Sequence, residues 1–93
     1  WDAFGFLNDL IAIGAATDLR RRGWRIPEEV MVTGFDDIQF AQLMRPSLTT
    51  LRQPLAEIAR RGVDLLLSED EPVEKRIIVQ GELIVRESTG FEA

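Results

Sequence analysis

The segment that most constrains the fold is residues 30–37, which read VMVTGFDD. Its unbroken apolar and β-branched run predicts a strand buried on both faces, as in parallel sheets. We expect Gly34, which ends the run, to permit unusual backbone angles. Asp36 and Asp37 then follow at the carboxyl end of the strand. Because open α/β sheets bind ligands at that edge, this acidic pair is the first candidate for a functional site.

A second strand and a helix are predicted before this segment. Residues 3–7, AFGFL, form another short apolar run, which predicts a strand buried on both faces. Asn8 and Asp9 follow, and both are residue types that cap helices. Apolar and small residues from Leu10 onward predict a helix that ends in three arginines and Gly23. Strand, helix and strand with short connections form a βαβ unit, which is nearly always right-handed.

The second half of the sequence predicts shorter elements. Residues 38–44 are expected to form a short helix. Residues 47–53, which are rich in β-branched side chains, are expected to be extended as a crossover between two layers or lobes. Pro54 opens a helix whose apolar stripe we expect to be buried. Residues 68–72 are typical of an acidic surface turn, residues 77–79 and 83–85 of strands, and residues 88–93 of a frayed tail.

Composition excludes several kinds of site. The 93 residues include neither cysteine nor histidine, which rules out disulfides, thiolate metal sites and the most common general base. A net charge of −5 argues against a nucleic-acid surface on this chain. Ser47 and Ser88 have no histidine to activate them, and the sequence contains no glycine-rich phosphate motif. We therefore expect no enzymatic activity, no cofactor and no metal.

Asn8 and Asp36 each have a structural and a functional interpretation. Asn8 alone is most often an N-cap, and Asp36 alone a cap or turn residue. Both, however, stand where an apolar strand of one βαβ unit gives way to a helix, so their side chains approach the same sheet edge. An amide and a carboxylate there suit the neighbouring hydroxyls of a sugar or polyol. The alternative is a receiver-like acidic site at Asp36 and Asp37, although the sole lysine, Lys75, has no evident route to it.

Three other residues fit either the core or a subunit contact. Gly14 lies among small residues of the first helix and allows close packing against a sheet or a partner. Phe40 and Met44 lie on the short segment beside the acidic pair, and composition leaves both alternatives open for them. The arginine runs at 20–22 and 60–61 are interpreted as solvated helix faces.

Five motifs, in order and with matching gaps, resemble the lactose-repressor/galactose-repressor (LacI/GalR) family of transcriptional regulators. Each motif alone is weak, but five in register are a strong signal, and they cover essentially the whole chain. The matching segments are NDLIAIGA at 8–15, Gly23 with IPEEV at 26–30, TGFDD at 33–37, PSLTTLRQP at 46–54 and LIVRES at 83–88.

The resemblance implies a fold. It predicts a fragment of a periplasmic-binding-protein type I domain, an α/β architecture in which two Rossmann-like lobes with parallel sheets hold an effector between them. Residues 1–46 would form a βαβ unit of the second lobe, residues 47–74 the crossover and a helix toward the first lobe, and residues 75–93 the terminal strands and tail. The chain would thus be the carboxyl-terminal portion of the effector-binding domain.

The resemblance also implies site residues. Positions that match Asn8 and Asp36 commonly contact the effector in this family, which makes these two residues the predicted effector-binding site. Positions around Ile13 and Met44 lie where family members dimerise, and we extend the possible interface to their neighbours Gly14 and Phe40.

The function implied is the sensing of a small sugar-like effector by a cytoplasmic, homodimeric regulator. Operator DNA would be bound by an amino-terminal helix-turn-helix that lies outside this sequence. The alternative is a sugar-binding receptor of a transport system, which shares the fold and would require an export signal. Without the rest of such a protein, we expect this chain to expose apolar faces and to self-associate.

Overall fold

A computed structural model describes residues 2–69 and 77–90. Its elements follow the order predicted from the sequence, with a βαβ unit first, then a short helix, and then alternating strands and helices. They are β1 (Asp2–Gly5), α1 (Asp9–Arg21), β2 (Val30–Thr33), α2 (Gln39–Leu43), β3 (Thr50–Arg52), α3 (Leu55–Leu67), β4 (Glu82–Ile84) and a short 3-10 helix (Glu87–Thr89).

The two strands of the first unit pair as predicted. β1 and β2 lie parallel, with Ala3 opposite Met31 and Gly5 opposite Thr33, and α1 connects them. Val30 and Val32 of β2 are buried and the two residues between and after them are half-buried. The prediction that β1 is buried on both faces is wrong for the described chain, because β1 pairs with β2 alone and α1 packs on β2.

Local sequence explains where α1 begins and ends. The side-chain Oδ1 of Asn8 accepts a hydrogen bond of 2.9 Å from the backbone N–H of Ile11, which caps the first turn. Ala12 and Ala16, four positions apart, form the buried face that meets the sheet. Gly23 has a φ of 92°, a left-handed conformation that glycine adopts without strain, and the helix stops just before it.

The hydrophobic core is small and consists of short side chains. It lies between α1, β2, α2 and the segment that leads into β3, with several half-buried apolar side chains around it. Since α1 contributes only alanines to it, the helix approaches the sheet closely. The buried apolar residues are Ala12, Ala16, Ile26, Val30, Val32, Ala41 and Leu48.

A second, antiparallel sheet adjoins the first through one bridge. Thr33, at the end of β2, pairs in parallel with Thr49, and the chain continues into β3. β3 pairs with β4 in antiparallel register, Leu51 opposite Leu83. The predicted strand at 83–85 is confirmed with slightly shifted bounds. The predicted strand at 77–79 is wrong, since these residues lie beside α3 without pairing to any described strand.

α3 begins directly after Pro54, as predicted, and is exposed throughout. The expected burial of its apolar stripe is wrong for the described chain, in which Leu55 and Leu66 are 66% and 85% exposed. Among the described residues, Ile77 and Val79 lie beside α3 and line a shallow cleft with Ile58 and Leu65. None of the described helices could cross a membrane. Most of the predicted acidic turn at 68–72 lies outside the described residues. The predicted fraying of the tail at 88–93 is wrong at its start, because Ser88 is buried within the 3-10 helix Glu87–Thr89, and residues 91–93 lie outside the described residues.

Candidate functional site

The carboxyl edge of the parallel strands is organised around a buried carboxylate, Asp9. Its backbone N–H donates to the carbonyl of Phe35 at 3.0 Å. Its Oδ2 accepts a hydrogen bond of 2.8 Å from the N–H of Ile38, and its Oδ1 one of 2.6 Å from the hydroxyl of Thr50. Asp9 is completely buried, so these donors replace the water that a carboxylate would otherwise require. The loops after β1 and β2 are thereby fixed to each other and to β3.

Sequence reasoning missed this role of Asp9, which it treated as one of two capping residues. The available signal was its position between a residue that already caps the helix and an apolar helix face. Its partner, Thr50, lies 41 residues away, and no local pattern connects the two.

Gly34 is required by space rather than by backbone angle. A Cβ on Gly34 would lie 2.2 Å from Oδ1 of Asp9 and 2.9 Å from Cδ2 of Leu48. The expectation that Gly34 adopts unusual angles is wrong. The left-handed φ values in this loop belong to Asp36, at 116°, and Asp37, at 56°. The strand therefore ends in a glycine because Asp9 packs directly against it.

Asn8 lies at this edge, and the oxygen and nitrogen of its side-chain amide have different surroundings. Its Oδ1 caps α1, as the structural interpretation predicted. Its Nδ2 makes no hydrogen bond to any of the described residues, and the side chain is half-buried. The amide thus retains a donor at the same edge as Asp36.

Asp36 is held in a conformation that non-glycine residues rarely adopt. Its N–H donates to the carbonyl of Leu51 at 2.9 Å, and its Oδ1 accepts a hydrogen bond from the side-chain amide of Gln53. The residue is solvent-exposed, and its Oδ2 has no partner within the described part of the chain. Backbone strain of this kind, of about 1–3 kcal/mol, is found preferentially at functional sites.

Asp37 has a different function from its neighbour. Its Oδ2 lies 2.7 Å from Nε of Arg52 and its Oδ1 lies 2.9 Å from Nη2 of Arg86, with the Asp37 side chain 9% exposed. Partial burial raises the pKa of Asp37, but the hydrogen bonds from the two arginines outweigh that effect and hold the pKa below its ordinary value. Both carboxylate oxygens are therefore committed within the protein.

This arrangement does not favour the receiver-like metal site considered above. A metal at the acidic pair would have to compete with two guanidinium groups for Asp37. Lys75 lies outside the described residues. Across residues 2–69 and 77–90, no group of three acidic side chains is placed to hold a metal ion.

Ser47 and Ser88, the two serines that lack an activating histidine, both have structural roles. Ser88 is buried, donates to the carbonyl of Val32 at 2.6 Å and accepts from the N–H of Thr49 at 2.8 Å. The hydroxyl and N–H of Ser47 both donate to Oε1 of Glu87 at 2.9 Å. These bonds fasten the 3-10 helix across the end of β2.

The predicted interface residues lie on α1 and on α2 with the residue that follows it, Met44, and two hydrogen bonds join these two segments. The N–H of Ile38 bonds Asp9 at one end, and the guanidinium of Arg20 donates to the carbonyl of Arg45 at the other. Within this pair Gly14 and Phe40 are exposed, whereas Ile13 and Met44 are half-buried and pack on the core. The exposed apolar side chains on these helices are Leu10, Ile11, Phe40 and Leu43.

Known proteins share both this sequence and this fold. The periplasmic binding protein-like domain family matches residues 2–89. The HTH-type transcriptional repressor PurR of Haemophilus influenzae is 38% identical to the chain, over 87% of it. The lac repressor dimer bound to operator and the anti-inducer ONPF superposes with a TM-score of 0.85 at 29% identity, over 94% of the chain. The chain belongs to the periplasmic binding protein-like family, as part of a LacI/GalR effector-binding domain.

This LacI/GalR domain segment is a minor part of its relatives. It spans 26% of the length of PurR and 27% of the lac repressor chain. A third relative, the transcriptional regulator CelR in complex with cellobiose, has a TM-score of 0.78 and 39% identity, over 94% of this chain and 28% of its own. All three relatives are transcriptional regulators or repressors.

Proposed function

We propose that this chain forms one side of the ligand pocket of a LacI/GalR transcriptional regulator, and that Asn8 and Asp36 bind a small sugar-like effector. The observation that carries the proposal is the open donor and acceptor at one sheet edge. Among the described residues, nothing bonds the amide N–H groups of Asn8 or the second carboxylate oxygen of Asp36, which stands on a strained, anchored loop.

The chemistry of these two groups selects the class of ligand. A carboxylate oxygen accepts hydrogen bonds from hydroxyl groups, and the Asn8 amide donates to a hydroxyl or ring oxygen. Asp37, whose oxygens are occupied by arginines, contributes no further charge to the ligand. A neutral polyol satisfies both groups, and the cellobiose complex of CelR supports a sugar as the ligand.

The same proposal covers the whole regulator. Effector binding in this domain would change the affinity of a separate helix-turn-helix for operator DNA, in the cytoplasm. The lac repressor supports this view, since it was crystallised as a dimer with both operator and an anti-inducer bound. We place the homodimer contact on α1 and α2, around Ile13, Gly14, Phe40 and Met44, with the exposed ring of Phe40 as its main apolar contribution.

The test of the pocket is calorimetric titration of the protein at its natural length with cellobiose, D-glucose, D-galactose and D-ribose. Asn8→Asp keeps the capping oxygen and removes the amide donor, and Asp36→Asn keeps the shape and removes the charge. For the sugar that binds, each variant is expected to lose about tenfold in affinity or more. The matched control is Glu28→Gln, an exposed acidic residue before β2 at the opposite end of the strand.

Two outcomes would refute the proposed pocket. In the first, none of the sugars binds the parent protein. In the second, a sugar binds with equal affinity to the parent, to Asn8→Asp and to Asp36→Asn. Reading the coding sequence upstream of residue 1 tests the regulator itself. A helix-turn-helix in frame supports it, whereas an export signal would indicate the transport receptor instead.

A further inference from the structure

The short segment 50–53 fixes both acidic residues of the candidate site, each through a different set of bonds. Thr50 and Arg52 bind Asp37, through the N–H of Asp37 to the Thr50 hydroxyl at 3.3 Å and through the ion pair of 2.7 Å. Leu51 and Gln53 bind Asp36, through the carbonyl of Leu51 and the side-chain amide of Gln53. Alternate residues of this extended segment therefore hold the two adjacent aspartates of the loop.

The hold on Asp36 opposes an intrinsic preference. A φ of 116° is unfavourable for any side chain with a Cβ, so Asp36 would relax to a negative φ if its anchors were removed. The Leu51 carbonyl fixes the backbone N–H at 2.9 Å. Gln53 is the group that fixes the carboxylate, because its amide donates to Oδ1, whereas Oδ2 has no partner among the described residues.

We propose that Gln53 is the positioning residue of the effector site, which orients the Asp36 carboxylate toward the ligand and couples that orientation to α3. This inference rests on the proposed function for the identity of the ligand, but the anchoring itself does not depend on it. Gln53 immediately precedes Pro54, the residue at the start of α3. A displacement of α3 therefore moves the Gln53 amide and changes how Asp36 is presented.

The coupling is reciprocal by thermodynamic necessity. If the position of α3 determines whether Asp36 is oriented for an effector, then an effector bound to Asp36 stabilises that position of α3. The exposed apolar face of α3 extends this coupling, since any surface that packs on that face moves with the helix. The segment 51–53 thus couples the conformation of a proposed ligand contact, Asp36, to the position of α3.

The first test is amide hydrogen exchange, followed by NMR, in Gln53→Leu of the protein at its natural length. Loss of a hydrogen bond to a carboxylate is expected to accelerate exchange of the Asp36 N–H about tenfold. The N–H of Gly34, which donates to the Thr49 carbonyl at 2.9 Å, is the internal control and is expected to remain unchanged. Arg52→Leu is the matched control variant, because it removes the neighbouring anchor of Asp37 and spares that of Asp36.

An unchanged exchange rate at Asp36, or an equal acceleration at Asp36 and Gly34, would overturn the proposal, the second because it indicates general destabilisation. Gln53→Glu provides a second variant of the same volume, in which a carboxylate faces Asp36. It is expected to accelerate Asp36 exchange more than Gln53→Leu does.

The second test measures cellobiose, D-glucose, D-galactose and D-ribose binding in a double-mutant cycle. Gln53→Leu is expected to weaken binding about tenfold in the parent and by less than about twofold in an Asp36→Asn background. Equal losses in both backgrounds would show that Gln53 acts independently of Asp36 and overturn the proposal. If no sugar binds the parent protein, the proposed function fails, while the exchange comparison still decides the role of Gln53.

Discussion

Replacing Gly34 with alanine tests whether the buried carboxylate of Asp9 organises this fold. The added methyl group would lie 2.2 Å from Oδ1 of Asp9 and 3.1 Å from its Cα, so the carboxylate has to move. It cannot rotate within its site, because Oδ1 is bonded to the Thr50 hydroxyl at 2.6 Å and Oδ2 to the N–H of Ile38 at 2.8 Å. The methyl group therefore displaces a carboxylate from both of its donors.

The cost follows from those bonds. A hydrogen bond to a charged group contributes about 1.5–3 kcal/mol, and losing it in a buried site leaves the partner unsatisfied. Loss or distortion of the two bonds to Asp9 is expected to lower the free energy of unfolding by about 3–5 kcal/mol. The total for 93 residues is roughly 5–14 kcal/mol, so this single methyl group removes about a fifth of it or more.

Urea denaturation monitored by circular dichroism measures the loss. The control is Gly14→Ala, at a helical glycine where a Cβ meets no atom within 4 Å, and it is expected to stabilise the protein by about 0.5–1 kcal/mol. Thr50→Val provides the coupling measurement, because it removes one of the two donors to the Asp9 carboxylate and leaves the other, the backbone N–H of Ile38. The double variant should cost less than the sum of the two single variants by about 1 kcal/mol or more.

Two results would refute this reasoning. A loss below about 1 kcal/mol in Gly34→Ala would mean that the site accommodates the methyl group without disturbing Asp9. Strict additivity with Thr50→Val would mean that the methyl group destabilises by another route, such as its contact with Leu48, where the distance is 2.9 Å.

Three further predictions concern the rest of the chain. Asp37→Asn is expected to destabilise by about 2 kcal/mol at neutral pH. Since the folded pKa of Asp37 lies below its unfolded value, its contribution to stability is complete above about pH 4 and is lost on further acidification. Below that pH, the urea midpoint of the parent should therefore fall more steeply than that of the variant. Parallel curves would contradict this. Ser88→Ala removes two buried hydrogen bonds and should cost about 2–3 kcal/mol in urea denaturation, against less than about 0.5 kcal/mol for the exposed helical Thr17→Ala; similar losses would refute it. The chain of residues 1–93 should self-associate through its exposed apolar faces, and Phe40→Glu should reduce this; sedimentation of the parent as a monomer at all concentrations would contradict the prediction.

Much of the fold could be predicted because its signals are local. The run VMVTGF and the capping residue Asn8 each determine their element within a few residues, and Gly23 and Pro54 mark the end and the start of helices. Parallel pairing of β1 and β2 then follows from the short connections of a βαβ unit. The same local logic placed Asn8 and Asp36 at one edge, although their contact with an effector stays a prediction.

The rest could not be predicted because it depends on long-range packing. The bonds from Thr50 to Asp9 and from Ser88 to Val32 join residues 41 and 56 positions apart, and periodicity carries no information on such pairs. Gly34 shows the same limit. The sequence indicated that a glycine is needed at this position, but the reason is the carboxylate of Asp9, which is distant in the sequence. The stripe on α3 was recognised as apolar, yet burial requires a partner surface, which a pattern within one helix cannot supply.

Of the three neighbouring aspartates at this sheet edge, two stabilise the fold and the third is the candidate for ligand recognition. Asp9 and Asp37 have both carboxylate oxygens bound by protein donors, so each joins segments and has no acceptor to offer a ligand. Asp36 has one oxygen anchored and one open, and its φ of 116° costs about 1–3 kcal/mol that glycine would not incur. A strained aspartate whose second oxygen has no partner among the described residues contributes little to folding, and this oxygen is the acceptor that we propose for the effector. Asp9 and Asp37, whose carboxylate oxygens are all bound by protein donors, hold the loop in place. They thereby prevent the relaxation that Asp36 alone would undergo.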